Sequence, residues 1–109
     1  MKLKFQNTIS GIAIAEQEFT ETQISRAFGR SLRALRTYKK LSLNALSEET
    51  DIPNPTINRY ENGINIPTIT QAIKLTDYFG VTIEEMIVFG VIDECGEKIV
   101  NLCQERENQ

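Results

Sequence analysis

Asn54, Thr56, Asn58 and Arg59 fall within six residues, and they carry the amide, hydroxyl and guanidinium groups that read base-pair edges. Arg59 suits a guanine and Asn58 an adenine. Ile57 and Tyr60, three apart, mark the inward side of the same short helix. Asn62-Gly63 closes it with a residue suited to positive φ. Asn54-Pro55 opens it: Asn caps, and Pro at the first helical position loses no bonded amide. Another short helix comes before. Ser42 caps it, Leu43, Leu46 and Thr50 recur at helical spacing, and Ala45 keeps one side slim. Asp51 sits at the bend, where Asp and Asn are the best tolerated residues after Gly, and Ile52 is the apolar plug that follows. Two short helices joined by a tight turn can set the second into the DNA major groove.

Other chemistries lack their residues. The chain has no histidine, hence neither the commonest general base nor the commonest metal ligand. It has no GxSxG, Walker or GxGxxG motif and no paired-cysteine site. Glu48-Glu49 and Glu84-Glu85 are neighbours on helices and do not face each other, so they are surface or cap residues. An enzyme, a cofactor and a metal centre are all unsupported. Cys95 and Cys103 lie outside any metal-ligand spacing and read as small buried hydrophobes in a reducing, cytoplasmic compartment. A length of 109 residues, 40% apolar and 25% charged, fits one small soluble domain. No apolar run approaches the roughly 20 residues that span a bilayer, and the first 19 residues are too broken for a signal peptide.

The net charge of −3 argues against a non-specific nucleic-acid coat. Its distribution says more. Residues 26–40 hold Arg26, Arg30, Arg33, Arg36, Lys39 and Lys40 and no acid, whereas residues 64–109 hold three bases against eight acids. A small reader of DNA needs one basic face. Arg33, Lys39 and Lys40 are the phosphate candidates there, since charge without base geometry suffices. Ser42 and Asn62 join them as backbone contacts, aided by free amides at the start of the first short helix.

Around this unit the chain divides into an arm at 1–19, a domain at 20–90 and a tail at 91–109. In the arm, Lys2 to Phe5 and Ile12 to Ala15 alternate polar and apolar about a turn at residues 7–11, which reads as a strand or hairpin. Since a lone hairpin is marginal in water, it leans on a second subunit, packs on its own domain, or stays unstructured. Thr20 with Gln23 caps a helix running to about residue 39, with Ile24, Ala27, Phe28, Ser31, Leu32 and Leu35 inward. Pro67 ends the loop after Gly63. Thr68 with Gln71 starts the next helix, whose buried face is Ile69, Ala72, Ile73, Leu75 and Phe79 and which Gly80 closes. Thr82 with Glu85 starts another, with Ile83, Met86 and Ile87 inward and Gly90 at its end. The tail carries Ile92, Cys95, Ile99, Leu102 and Cys103 at helical spacing, with Gly96 weakening the helix. That stripe is buried either on a partner subunit or on the chain's own domain.

The segments SLRALR, LSLNALSEETDI, PTINRYENG, IPTITQAIKLTDYFGV and TIEEM are collinear over residues 28–86. There the chain resembles the Xre-type helix-turn-helix regulators, the DNA-binding unit of phage Cro and repressor proteins. The resemblance implies an all-α, five-helix repressor-like domain, here with an N-terminal extension and a C-terminal amphipathic helix. It also implies an ion pair between Arg36 and Glu61 across the base of the motif. Two positions depart from the family: Leu43 stands where a phosphate-binding Gln is usual, and Asp51 where Gly is. The expected function is a transcriptional regulator, a repressor, that binds a near-palindromic operator on double-stranded DNA as a homodimer. Its half-sites would lie about 34 Å apart. The alternative from another class is a protein-binding module, such as an antitoxin that also binds its own promoter, with the two terminal segments serving the partner.

Overall fold

The computed structural model describes the backbone of residues 2–5, 8–9, 12–13 and 17–108 and the side chains of residues 18–108. Four short strands precede six helices. Strand β1 (Lys2–Phe5) pairs antiparallel with β4 (Gln17–Thr20), in the register Leu3 opposite Phe19, and β2 (Thr8–Ile9) pairs with β3 (Ile12–Ala13). The arm is thus a hairpin, but with a different pairing from the one the alternation suggested. The partner of Lys2–Phe5 is the segment that leads directly into the first helix, and Thr8–Ile9 is strand where a turn was expected. Phe19 from β4 is buried in the helical core, so β4 packs on the chain's own domain.

Helix α1 (Glu21–Tyr38) starts on Thr20, whose hydroxyl accepts from the Gln23 amide while the Gln23 side chain accepts from the Thr20 amide. Its inward stripe is as read: Ile24, Ala27, Phe28, Ser31, Leu32 and Leu35 are all buried. Helices α2 (Leu43–Thr50), α3 (Asn54–Glu61), α4 (Ile69–Phe79) and α5 (Ile83–Ile92) follow, and α6 (Glu97–Glu107) closes the chain. The core is one cluster in which α1 packs chiefly on α5 and α3. Among the described residues no helix is long and apolar enough to cross a membrane.

Two glycines let α1 lie close to its neighbours. A Cβ on Gly29 would stand 2.3 Å from the Tyr60 carbonyl oxygen, and one on Gly90 would stand 2.1 Å from that of Ala27. Gly90 therefore does not end α5, which runs on to Ile92; it is a buried contact point inside the helix. Its carbonyl accepts from Arg30 Nε at 3.0 Å.

The apolar stripe of α4 is narrower than its sequence suggests, whereas α5 is buried all round from Glu85 to Gly90 and open only at its two ends. Ala72, Leu75 and Phe79 are buried, but Ile69 is 77% exposed and Ile73 46%; on α5, Ile83 is half out while Met86 and Ile87 are in. A short helix at the surface, such as α4, buries about a third of its circumference, and further isoleucines face outward. Gln71 does not complete a box with Thr68. Its amide donates to the Thr68 hydroxyl, but its side-chain oxygen accepts from the Tyr60 hydroxyl.

The tail folds back on its own domain. Ile99 and Cys103 are fully buried against α1 and α5, and the Cys103 thiol donates to the Phe79 carbonyl at 3.2 Å. Burial pushes that thiol up, against the smaller opposing pull of Lys39 and Arg106. Ile92 ends α5 instead of starting α6, and Cys95 is exposed in the connecting turn, so it is not the buried hydrophobe expected. Gly96 does not weaken α6 from within. It precedes the helix at φ +76°, where a Cβ would also meet that of Ala34 at 2.3 Å, and the Asp93 carboxylate accepts from the Lys98 amide to satisfy the helix start.

Candidate nucleic-acid interface

The turn between α2 and α3 is built from local rules. The Ser42 hydroxyl accepts from the Ala45 amide at 3.0 Å and starts α2. Asp51 ends it at φ +57°, its amide bonded to the Ser47 carbonyl, the single-bond left-handed cap. Ile52 then drops fully into the core, and the Ser47 hydroxyl accepts the bend by donating to the Ile52 carbonyl at 2.5 Å. Leu46, Ile52, Ile57 and Tyr60 are the apolar seam between the two helices.

One sequence assignment fails here. Asn54 is not the cap of α3; Pro53 occupies that position, Pro55 is the second helical residue, and no side chain caps the helix. The Asn54 amide instead donates to the Asn44 side chain across the turn. Pro55 still costs nothing, because the second amide of a helix has no partner within it. Asn44 was missed by the sequence reading. It had a signal, being a polar residue on the outer side of α2, but nothing local joined it to Asn54 ten residues on.

The far end of α3 is fixed by charge. Glu61 has a side chain only 1% exposed, and Arg36 grips it twice, Nε to Oε2 at 2.6 Å and Nη2 to Oε1 at 3.0 Å. The Glu61 carboxylate raises the Arg36 pKa further, against desolvation. Arg36 also donates to the Leu41 carbonyl at 2.8 Å, so one guanidinium ties α1, the α1–α2 link and α3. The pair that the family resemblance implied is present. Arg33 joins it from the surface, with Nε 3.3 Å from Glu61 Oε1 and Nη2 2.9 Å from Asn62 Oδ1. Asn62 in turn donates to the Asn58 carbonyl at 2.8 Å.

The sequence candidates therefore separate into two sets. Asn58 and Arg59 are exposed on the outer side of α3, Thr56 is half-buried beside them, and Arg59 has no bonded partner among the described residues. Lys40, exposed at φ +59° just before α2, has none either. Arg33 and Asn62 are engaged with α3 itself, and Lys39 is held by Glu107 of α6. Exposed amides and a free guanidinium on one face, above a helix anchored at both ends, form a surface that can offer hydrogen bonds to base edges.

Residues 32–86, half of the chain, match the family model described as Helix-turn-helix. The chain belongs to the helix-turn-helix family. A helix-turn-helix is a DNA-binding unit, and its second helix, here α3, is the one that such domains place in the major groove. Over 82 residues it is 29% identical to the HTH-type transcriptional activator BcrR of Enterococcus faecalis, an alignment that covers 75% of this chain and 36% of that protein. The chain thus spans little more than a third of that relative's length. No solved structure matches it.

Proposed function

We propose that this helix-turn-helix chain is a sequence-specific repressor that binds a near-palindromic operator as a homodimer, with α3 in the major groove. Asn54, Thr56, Asn58 and Arg59 face the bases; Ser42, Lys40 and Asn62, with Arg33 and Lys39 where they exchange partners, hold the backbone. The observation that carries this reading is the contrast between the two sides of α3. Ile57, Tyr60 and Glu61 lock its inner side, while Asn58 and Arg59 are exposed on the outer side, Asn58 Oδ1 accepting from the Asn62 side chain and Arg59 without a bonded partner among the described residues. A rigid element presenting donors is what direct readout needs, because a bidentate contact tolerates little misplacement. Repression is the simpler sign of control: a reader seated on an operator blocks other proteins by occupancy alone.

Selection of the purified protein against a random duplex library at near-physiological salt tests the reading. The expected result is a two-fold symmetric motif whose half-sites are about one helical turn, roughly 34 Å, apart. Retention without a motif overturns sequence-specific reading. A reporter carrying the selected site then reads the sign: expression falls on adding the protein if it represses.

A further inference from the structure

Seven large apolar side chains are exposed among the described residues, and four of them fall in the ten residues from Ile64 to Ile73. Ile64 is 68% exposed, Ile66 47%, Ile69 77% and Ile73 46%. Ile69 and Ile73 lie one turn apart and share a face of α4. Ile64 and Ile66 lie in the loop that leads into that helix. Residues 62–73 also contain no charged side chain, in a protein where a quarter of the residues are charged. An apolar surface without a base within it is a poor match to phosphates and a good match to another apolar surface.

We propose that this surface, the loop from Ile64 to Ile66 with the exposed face of α4, is where a second copy of the chain docks. The inference rests on the homodimeric reading above and names its interface. Two observations favour a copy of the chain as occupant. A two-fold contact brings a patch against itself, so it must carry no charge of one sign, and this stretch carries none. The patch is also fixed rigidly to the reading helix. Gly63 and Ile64 bond back to the Tyr60 and Arg59 carbonyls at 3.1 and 3.0 Å, and the Tyr60 hydroxyl bonds Gln71 in the first turn of α4. A contact made through Ile69 therefore sets the spacing of two α3 helices without a flexible link between.

Ile69 and Ile83 give a matched test, because each is the first residue of its helix and each is exposed, but only Ile69 is in the patch. An acid in a first turn favours the helix, so both Ile69→Asp and Ile83→Asp fold, which circular dichroism checks. Sedimentation of the free proteins and titration onto a selected palindrome and its isolated half-site are then compared. The expected result is a dimer dissociation constant raised about 30-fold or more by Ile69→Asp, with weaker palindrome binding and unchanged half-site binding, while Ile83→Asp matches the wild type. A wild-type dimer that Ile69→Asp leaves intact overturns the interface and spares the homodimeric reading. A wild type that occupies its selected site as a single copy overturns both. Wild type that dimerises only on DNA supports the interface if Ile69→Asp abolishes the cooperativity, and refutes it if not. Half-site binding lost with Ile69→Asp would assign the patch to DNA instead.

Discussion

Arg59 and Lys40 are two cations near α3 that no acid neutralises among the described residues, and they are expected to behave differently. Arg59→Ala should lose about 1–3 kcal/mol of discrimination at a single base position, because a bidentate guanidinium contact is specific to one base edge. Titrations against single-base operator variants measure this; an equal loss on random duplex would sink the base-reading role. Lys40 sits where α1 ends in the doubly bonded left-handed cap, its amide on Thr37 and that of Leu41 on Arg36. Lysine is strained at φ +59°, whereas glycine is not. Lys40→Gly should therefore stabilise the fold by about 1 kcal/mol, seen as a higher melting temperature, while weakening binding to all sequences alike. An unchanged melting temperature would mean the cap carries no strain. At this scale the exposure of Asn58 and Arg59 was legible, since outward polar residues on a helix with a known inner stripe have one place to go. Partners were less so. Arg33 on Glu61, Asn44 on Asn54 and Tyr60 on Gln71 join residues on different elements, and no local spacing encodes them.

Helix α6 is held by the pair of Arg106 with the buried Glu85, by Glu107 on Lys39 and Tyr38, and by two buried side chains, and the Glu85 pair sets how it responds to acid. Burial pushes the Glu85 carboxyl up, but the Arg106 guanidinium, 2.6 Å away, and the Thr82 amide more than offset this, leaving it below its ordinary value. A carboxyl depressed in the folded state contributes stability that is complete above its unfolded pKa, about 4.3, and lost as pH falls through the lower folded value. Docking of α6 should thus weaken below about pH 4 and be indifferent to pH near neutrality. The reporter is Cys103, which lies under α6. In a Cys95→Ser background, its reaction with an acid-tolerant disulfide reagent should accelerate below that pH, and Glu85→Gln should make it fast already at pH 7. Protection of Cys103 that persists in Glu85→Gln would show that the other contacts hold the helix without that pair. Sequence located most elements because α1, α2, α4 and α5 each start on a capping Ser or Thr. It misjudged their depth: periodicity marks Ile69, Ile73 and Ile83 as apolar without saying how wide a stripe the neighbour covers. Gly90 and Gly96 were misread because a glycine that ends a helix, precedes one, or admits a neighbour's backbone looks the same in sequence.

Across the whole molecule the basic and acidic halves do not stay apart. Six bases and no acid in residues 26–40 suggest a strongly positive face, yet the fold spends much of that charge internally. Arg33 and Arg36 share Glu61, and Lys39 meets Glu107 from the far end of the chain, which also accepts from the Tyr38 hydroxyl. Arg26 and Arg30 lie one to two turns farther back along α1 than Arg33. With Arg59 turned to the bases, the cations that remain for phosphates are Lys40 beside the turn and Arg26, which lies exposed against Gly63 at the end of α3 with no acid partner among the described residues. Affinity falls with salt in proportion to the phosphates neutralised, so two contacts imply a slope of log K against log salt of about −1.8 per protomer. Releasing Lys39 adds a third. Glu107→Gln should steepen the slope to about −2.7 per protomer and tighten binding most at low salt, with no change in the selected motif. If Glu107→Gln leaves the slope unchanged, Lys39 does not reach the DNA even when free. A wild-type slope near −4 per protomer would instead mean that the arginines on Glu61 turn to phosphate on binding, at the expense of the buried pair that fixes α3.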